Sequence, residues 1–140
     1  MNLDLTGFHR AISSLETALT VYESYLSGTE KHPDFIQTLK AGVVQNFEFT
    51  YELSWKFMRR WIEVNIGTTV VDGVTRRELF RQAAENRLII DVSKWMSFHQ
   101  ARNITSHTYD AEKADEVVAS ALVFKDEAIA LYHALEERNQ

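Results

Sequence analysis

The sequence contains no cysteine, a single proline and only five glycines among its 140 residues. The lack of cysteine excludes a disulfide framework and thiolate chemistry. The scarcity of proline and glycine leaves long uninterrupted segments, which favours helices. No apolar run approaches the ~18 residues of a membrane span, and the N-terminus lacks the basic and apolar regions of a secretion signal. We therefore expect a cytoplasmic protein without a membrane segment.

Length and charge narrow the expectation further. With 45% hydrophobic and 25% charged residues, positions 1–140 fit one helical-bundle domain whose core needs no metal for stability. Fifteen Lys and Arg residues stand against 20 Asp and Glu residues, which gives a net charge of −5. Such a molecule repels a phosphate backbone unless its positive charges are gathered in one place. Broad coating of nucleic acid is therefore disfavoured.

Apolar residues that recur at steps of three and four predict two long helices, one from Gly7 to Ser27 and one from Pro33 to Gly67. The second helix would span about 50 Å. It has a long apolar stripe and a second, shorter one, formed respectively by Phe35, Leu39, Val43, Phe47, Tyr51, Trp55, Met58, Ile62 and Ile66 and by Phe49, Leu53, Phe57 and Trp61. A polar row of Glu48, Glu52 and Lys56 remains. Two stripes predict a central helix with neighbours on two sides and enough exposed apolar surface for a homodimer.

Three further helices are predicted from capping residues. Thr75 and Glu78 form a capping box that opens a third helix, and Asp91 can cap a fourth. A fifth helix is predicted from about Ala111 to Arg138. The expected fold is all-α, an antiparallel up-and-down four-helix bundle with one extra short helix.

Several kinds of chemistry are disfavoured by spacing. The five histidines are scattered, and neither a His-x-x-x-His nor a Glu-x-x-His pair occurs. No two glycines lie within five residues of each other, so a phosphate-cradling glycine loop is lacking, as is a Gly-x-Ser-x-Gly elbow. We expect neither a metal nor a cofactor.

A polar segment at positions 101–110 interrupts the predicted packing of the fourth helix. On an ideal helix Arg102 and His107 point about 140° apart, so they converge only if the helix ends near Thr105. An arginine beside a histidine suits a phosphodiester, because Arg binds phosphate oxygens bidentately and His transfers a proton near neutral pH. The alternative is a helix end whose cations satisfy the last carbonyls, with Asp110 capping the next helix. Spacing alone favours the alternative.

Two other patterns have both a functional and a structural interpretation. Residues 56–87 contain seven basic and four acidic side chains, whereas residues 110–138 contain three basic and eight acidic ones. The basic region suits RNA or an acidic partner, or is simply a solvated charged face, which is the more common case. The aromatic row of Phe47, Tyr51 and Trp55 is more typical of a core than of a base-stacking platform.

Two runs of sequence resemble a known family. Residues 102–109, Arg-Asn-Ile-Thr-Ser-His-Thr-Tyr, are similar to the Arg, polar residue, spacer, His signature of the HEPN superfamily, including the His-x-Tyr extension of its toxin branch. Residues 45–56 resemble the long second helix of the nucleotidyltransferase substrate-binding proteins. Together with length and helix order, the resemblance covers almost the whole chain.

The resemblance implies a homodimer in which two Arg-His motifs face one cleft, and a small nucleotidyltransferase as partner. Some members are metal-independent ribonuclease toxins that the partner silences by attaching AMP to the motif tyrosine, here Tyr109. On this basis Arg102 stabilises the phosphorane charge, His107 is the acid-base residue, and Asn103 orients His107 or the phosphate.

The resemblance leaves two functions open. The first is a ribonuclease subunit of a toxin and antitoxin pair, acting on RNA without a metal. The second is a noncatalytic subunit that binds a nucleotide or substrate for the nucleotidyltransferase. An Arg-His cleft suits phosphate binding and phosphate cleavage alike, so the sequence discriminates poorly between them.

Overall fold

The protein was analysed as a computed structural model that describes residues 2–139. Within this range the chain forms five α-helices and no strand: α1 Thr6–Leu26, α2 Pro33–Asn65, α3 Arg76–Glu85, α4 Val92–Asn103 and α5 Ala111–Arg138. Two short 3-10 turns, Thr68–Val70 and Thr105–His107, precede α3 and α5. The predicted all-α bundle and its helix order are confirmed.

Side-chain caps explain where the later helices begin. The residues before α3, α4 and α5 each accept a backbone N–H through a side-chain oxygen, and they are Thr75, Asp91 and Asp110. One hydrogen bond of the capping box is present at α3, since Thr75 Oγ1 accepts from the Glu78 N–H at 3.2 Å. The Glu78 carboxylate pairs with Arg81 instead of turning back to Thr75. These caps hold the start of each helix in the position that the sequence indicates.

Helix α2 is central, as predicted, because α1, α3, α4 and α5 all pack against it. The middle of its long stripe is buried, namely Val43, Phe47, Tyr51, Met58 and Ile62. The ends of that stripe differ from the prediction, since Phe35 is 58% exposed and Ile66 is 54% exposed. From the second stripe, Phe49 is 60% exposed. The bundle therefore covers the middle of α2 and leaves large apolar side chains in solvent at three places.

An aromatic cluster joins α2, α4 and α5. The ring of Phe124 lies 5.1 Å from Phe47 and 6.3 Å from Tyr51 on α2, between ring centroids. On α4 it lies 5.7 Å from Trp95 and 5.2 Å from Phe98. Edge-to-face pairs of this kind add to the free energy gained from burial alone. The cluster fixes the middle of α4 against the middle of α2.

The two ends of the described chain are held together by a reciprocal pair of hydrogen bonds. The Leu3 N–H donates to Asn139 Oδ1 at 2.9 Å, and Asn139 Nδ2 donates to the Leu3 carbonyl at 2.8 Å. This pair joins the segment before α1 to the end of α5. None of the helices within residues 2–139 is long and apolar enough to cross a membrane.

Candidate functional site between α2 and α4

The polar segment noted in the sequence lies where α4 ends. The helix stops at Asn103, the Ile104 N–H donates to the Ala101 carbonyl at 3.2 Å, and a 3-10 turn follows over Thr105–His107. This is the helix end near Thr105 that the sequence required for Arg102 to approach His107. Arg102 turns instead toward α2.

Two carboxylates of α2 receive Arg102. Its Nε–H donates to Glu52 Oε1 at 2.9 Å, and its Nη1 lies 4.0 Å from Glu48 Oε2. The second oxygen of Glu52 accepts from the Trp55 indole N–H at 3.1 Å, and the Thr105 hydroxyl donates to Glu48. We call Glu48, Glu52 and Arg102 the Arg102 cluster. Because each carboxylate has a second partner, the cluster holds the guanidinium in one orientation.

The other predicted site residues lie on the surface beyond this cluster. Asn103 and His107 are exposed, and Tyr109 is 88% exposed. The ring centroids of His107 and Tyr109 are 6.3 Å apart. No hydrogen bond joins Arg102 to the side chain of Asn103 or His107 within the described residues. A single chain thus brings His107 near Tyr109 but does not join either residue to Arg102.

A histidine and a tyrosine next to the Arg102 cluster were missed by the sequence reasoning. The hydroxyl of Tyr51 lies 2.8 Å from Nδ1 of His99, one helical turn before Arg102. Tyr51 is 1% exposed, and its burial raises the pKa of its hydroxyl, so that the group stays neutral. Burial, and after it the charge of Arg76, lowers the pKa of His99. This pair adds a neutral hydrogen-bonding unit to the cationic and anionic groups nearby.

Arg76, the first residue of α3, stacks over Trp55 with its guanidinium carbon 3.5 Å from the ring centroid. Such a contact is a close cation–π interaction. Its Nη1 is buried and is the sole buried side-chain nitrogen or oxygen among the described residues that lacks a hydrogen-bond partner. Burial lowers the pKa of Arg76, but an arginine remains charged at physiological pH. The site therefore balances the charges of Arg76 and Arg102 against those of Glu48 and Glu52.

An open groove of about 420 Å³ borders the Arg102 cluster. It is lined by Gln45, Asn46, Glu48, Phe49 and Glu52, all on α2. Phe49 presents an exposed aromatic ring directly beside the two carboxylates of the cluster. The groove thus joins an apolar surface to the charged site.

Two arginines of the basic region noted in the sequence form ion pairs within their own helices. Arg81 forms ion pairs with Glu78 and Glu85, and Arg59 lies 3.9 Å from Glu63. These pairs favour the interpretation as a solvated charged face. In the aromatic row, Phe47 and Tyr51 are fully buried, as predicted for a core, while Trp55 is partly exposed under Arg76.

Sequence reasoning found Arg102 but missed the α2 side of its site. It identified Glu48 and Glu52 only as a polar row, and it dismissed His99 with the other scattered histidines. Two signals were available: a carboxylate pair at i, i+4 on a central helix, and His99 at i, i+3 from Arg102, on the same face of α4.

The similarity to known proteins extends over almost the whole chain. Residues 3–137 match a protein family described as nucleotidyltransferase substrate binding protein like. A Haemophilus influenzae protein named "Probable ribonuclease HepT" is 40% identical over 140 residues, which cover 99% of this chain and 95% of the relative. The similarity extends over the segments that form the candidate site.

Two solved structures have similar folds. The structure of a Haemophilus influenzae protein, described as revealing the fold of a substrate binding domain of a nucleotidyltransferase, superposes with a TM-score of 0.89 at 36% identity. The match covers 95% of this chain and 99% of the other. A Thermus thermophilus protein superposes with a TM-score of 0.58 at 21% identity, covering 89% of this chain and 97% of the other. The second likeness concerns the fold alone.

Proposed function

The chain belongs to the nucleotidyltransferase substrate-binding protein family, and from that premise we propose that it is the helical partner subunit of a small nucleotidyltransferase and a metal-independent ribonuclease of the HEPN type. In this proposal it acts as the toxin-like member of a toxin and antitoxin pair. The name of the Haemophilus influenzae relative agrees with ribonuclease activity.

The observation that carries this proposal is the orientation of Arg102. Glu52 accepts the Nε–H of the guanidinium, and Nη1 lies 4.0 Å from Glu48, beyond hydrogen-bond distance, so both terminal nitrogens can donate to two oxygens of a phosphate. The Arg102 side chain is 35% exposed, so that an RNA strand can reach it. A donor that is fixed before the substrate arrives lowers the cost of stabilising charge in the transition state.

The proposed reaction is a transesterification. A base takes the proton of the RNA 2′-hydroxyl, the 2′-oxygen attacks phosphorus, and the 5′-oxygen leaves with a proton, which produces a 2′,3′-cyclic phosphate. Arg102 stabilises the negative charge on the phosphorane, and His107 transfers a proton. Asn103 orients His107 or the phosphate. The proton transfers need no metal ion.

A homodimer would bring Arg102 and His107 together in one cleft, which a single chain does not do. Arg102 and His107 are not joined within a protomer. Arg102 is in the last turn of α4 and contacts α2, the helix that bears Phe49, whereas His107 is in the 3-10 turn that follows α4. We propose that a second copy packs over the exposed Phe49 and the adjoining groove, so that two copies of the motif share one cleft. Burial of an exposed aromatic side chain is the kind of anchor on which interfaces depend.

Tyr109 is the proposed site of control by the partner. Its ring is 88% exposed and close to His107, so that its hydroxyl is open to a nucleotidyltransferase. An AMP group on this oxygen would add negative charge and bulk beside the proposed phosphate site. It would block RNA by pairing with Arg102 and by occupying its space.

One finding favours a second candidate, a noncatalytic subunit that binds a nucleotide or substrate for the nucleotidyltransferase. Arg102 contacts two carboxylates and not His107, so a phosphate bound by Arg102 in one chain would have no bond to the proposed proton-transfer residue. The description of the Haemophilus influenzae structure also refers to substrate binding. This candidate shares the phosphate site and differs in the absence of cleavage.

Cleavage of RNA in the presence of EDTA tests the proposal. The purified protein is expected to produce 2′,3′-cyclic phosphate ends, and Arg102→Ala and His107→Ala should each lower the rate by at least ~10²-fold. Arg77→Ala and His32→Ala, which remove an exposed arginine and an exposed histidine elsewhere, are matched controls and should retain the rate. Binding of a nucleotide by wild-type protein that cuts no RNA would favour the noncatalytic subunit.

A further inference from the structure

We infer that His99 is an additional phosphate-contacting residue: it presents a neutral Nε2–H donor beside Arg102, and the buried Tyr51 hydroxyl fixes its imidazole for that role. The inference rests on the phosphate site of the proposed function, and it adds a residue outside the Arg-to-His motif.

The position of His99 places it at that site. His99 and Arg102 are three residues apart on α4 and therefore lie side by side on the helix. Each is held by one of two consecutive residues of α2, since Tyr51 bonds His99 and Glu52 bonds Arg102. The aromatic cluster around Phe124 fixes α4 against this part of α2. Both donors are therefore placed by the packing of the same two helices.

The tautomer of His99 follows from the burial of Tyr51. A buried hydroxyl proton needs an acceptor, because a buried donor without a partner loses the hydrogen bond that it makes to water in the unfolded chain. The acceptor at 2.8 Å is Nδ1 of His99. A neutral imidazole that accepts at Nδ1 has its proton on Nε2. Since Nδ1 faces the buried Tyr51, Nε2 on the other edge of the ring faces away from the core.

The charged groups around His99 keep it neutral. Glu52 on α2 faces it together with Arg76 on α3 and Arg102 on its own helix. Its burial and the two arginines disfavour the imidazolium ion, whereas Glu52 alone favours it, and the net effect is a lowered pKa. Protonation would also turn Nδ1 into a donor and leave the buried hydroxyl proton of Tyr51 without this acceptor. His99 is therefore suited to donate a hydrogen bond and not to transfer a proton.

Substitutions that place an amide near one imidazole nitrogen position at a time test whether Nε2 of His99 is the donor to the phosphate. Glutamine places its amide N–H close to the position of Nε2, whereas asparagine places its amide close to Nδ1. The probe is an RNA oligonucleotide with 2′-deoxy substitution, which binds but cannot be cleaved. His99→Asn and His99→Ala should weaken its binding about tenfold, the scale of losing a hydrogen bond to a charged group, and His99→Gln should stay within about threefold. Gln100→Ala, at an exposed neighbour on α4, is the control.

Imidazole nitrogen NMR on the wild-type protein tests the same point without a variant. The expected result is a neutral His99 with its proton on Nε2 and a shift of the Nε2 resonance when the 2′-deoxy oligonucleotide is added. Tyr51→Phe should raise the pKa of His99 toward its ordinary value. A proton on Nδ1, or equal binding by His99→Asn and His99→Gln, would overturn the inference.

The experiments separate this inference from the ribonuclease proposal. A wild-type protein that cuts no RNA but shifts the His99 Nε2 resonance on binding the oligonucleotide would refute cleavage and support the donor. A protein that cuts RNA and is unaffected by His99→Ala would support cleavage and refute the donor.

Discussion

Arg102 on α4 and Glu52 on α2 form an ion pair in which Nε lies 2.9 Å from Oε1, with 35% and 30% of the two side chains exposed. A pair this accessible contributes little to stability, because water screens it and two long side chains lose freedom. Its effect is on orientation. The guanidinium donates a hydrogen bond through its inner nitrogen, while Nη1 faces Glu48 at 4.0 Å and keeps its hydrogens for a ligand.

Removal of Glu52 should separate function from stability. We expect Glu52→Ala to lower RNA binding and cleavage at least ~10-fold, because Arg102 loses its orienting acceptor. The free energy of unfolding, measured by urea denaturation, should change by no more than about 1 kcal/mol. Glu78→Ala breaks an exposed pair with Arg81 and should leave RNA binding unchanged. Full activity of Glu52→Ala would show that Arg102 does not depend on this contact.

Phe49 should control dimerisation. Wild-type protein is expected to sediment as a dimer at micromolar concentration, with at least ~1,200 Å² buried in total. Phe49→Glu should yield a monomer, because a carboxylate would be buried against an apolar partner surface and beside Glu48 and Glu52. Phe35→Glu is a matched control, since Phe35 is on the same helix and nearly as exposed, at 58%. Two variants with the same sedimentation would place the interface elsewhere.

Tyr109 should be the acceptor of AMP. Incubation with the cognate nucleotidyltransferase, ATP and Mg²⁺ is expected to raise the mass of the chain by one or more AMP units, and Tyr109→Phe should prevent this. Tyr25→Phe removes a different tyrosine and should still be modified. A tight complex of the two proteins without any change in mass would instead indicate regulation by simple occlusion.

The lowered pKa of His99 predicts a loss of stability in acid. The unfolded chain protonates this histidine near its ordinary pKa of 6.5, whereas the folded chain does so only at lower pH. Between these two values the unfolded state binds more protons, so the stabilisation present above pH 6.5 is lost as the pH falls through the folded pKa. Urea midpoints should decrease from about pH 7 to about pH 5, and less steeply in His99→Gln. The exposed His32→Gln should retain the full slope.

Local signals in the sequence were sufficient for the helices. A cap such as Thr75 or Asp110 acts on the backbone within three residues, so its effect can be predicted without knowledge of the tertiary structure. The same holds for the apolar stripe of α2, although its exposed ends at Phe35 and Ile66 show that periodicity marks a face and not the length over which neighbours cover it.

Only part of the candidate site could be predicted from the sequence, because its contacts join residues on different helices. The separation of Arg102 from Glu52 is 50 positions and that of Tyr51 from His99 is 48. Such pairs depend on the rotation and depth of α4 against α2, which the aromatic cluster sets. His99 looked unremarkable since its partner, Tyr51, had the spacing of a core residue.

Because hydrogen bonds join Leu3 to Asn139, the order of the helices along the chain can be changed without changing their arrangement in space. Because Leu3 and Asn139 already contact each other, a short peptide joining the segments that contain them would close the backbone into a ring without moving any helix from its place. The exposed connection at residues 27–32 could then be opened to give a chain that begins with α2 and ends with α1. In that circular permutant, the α2–α4 contacts around Arg102 would form between segments nearer to the new N-terminus.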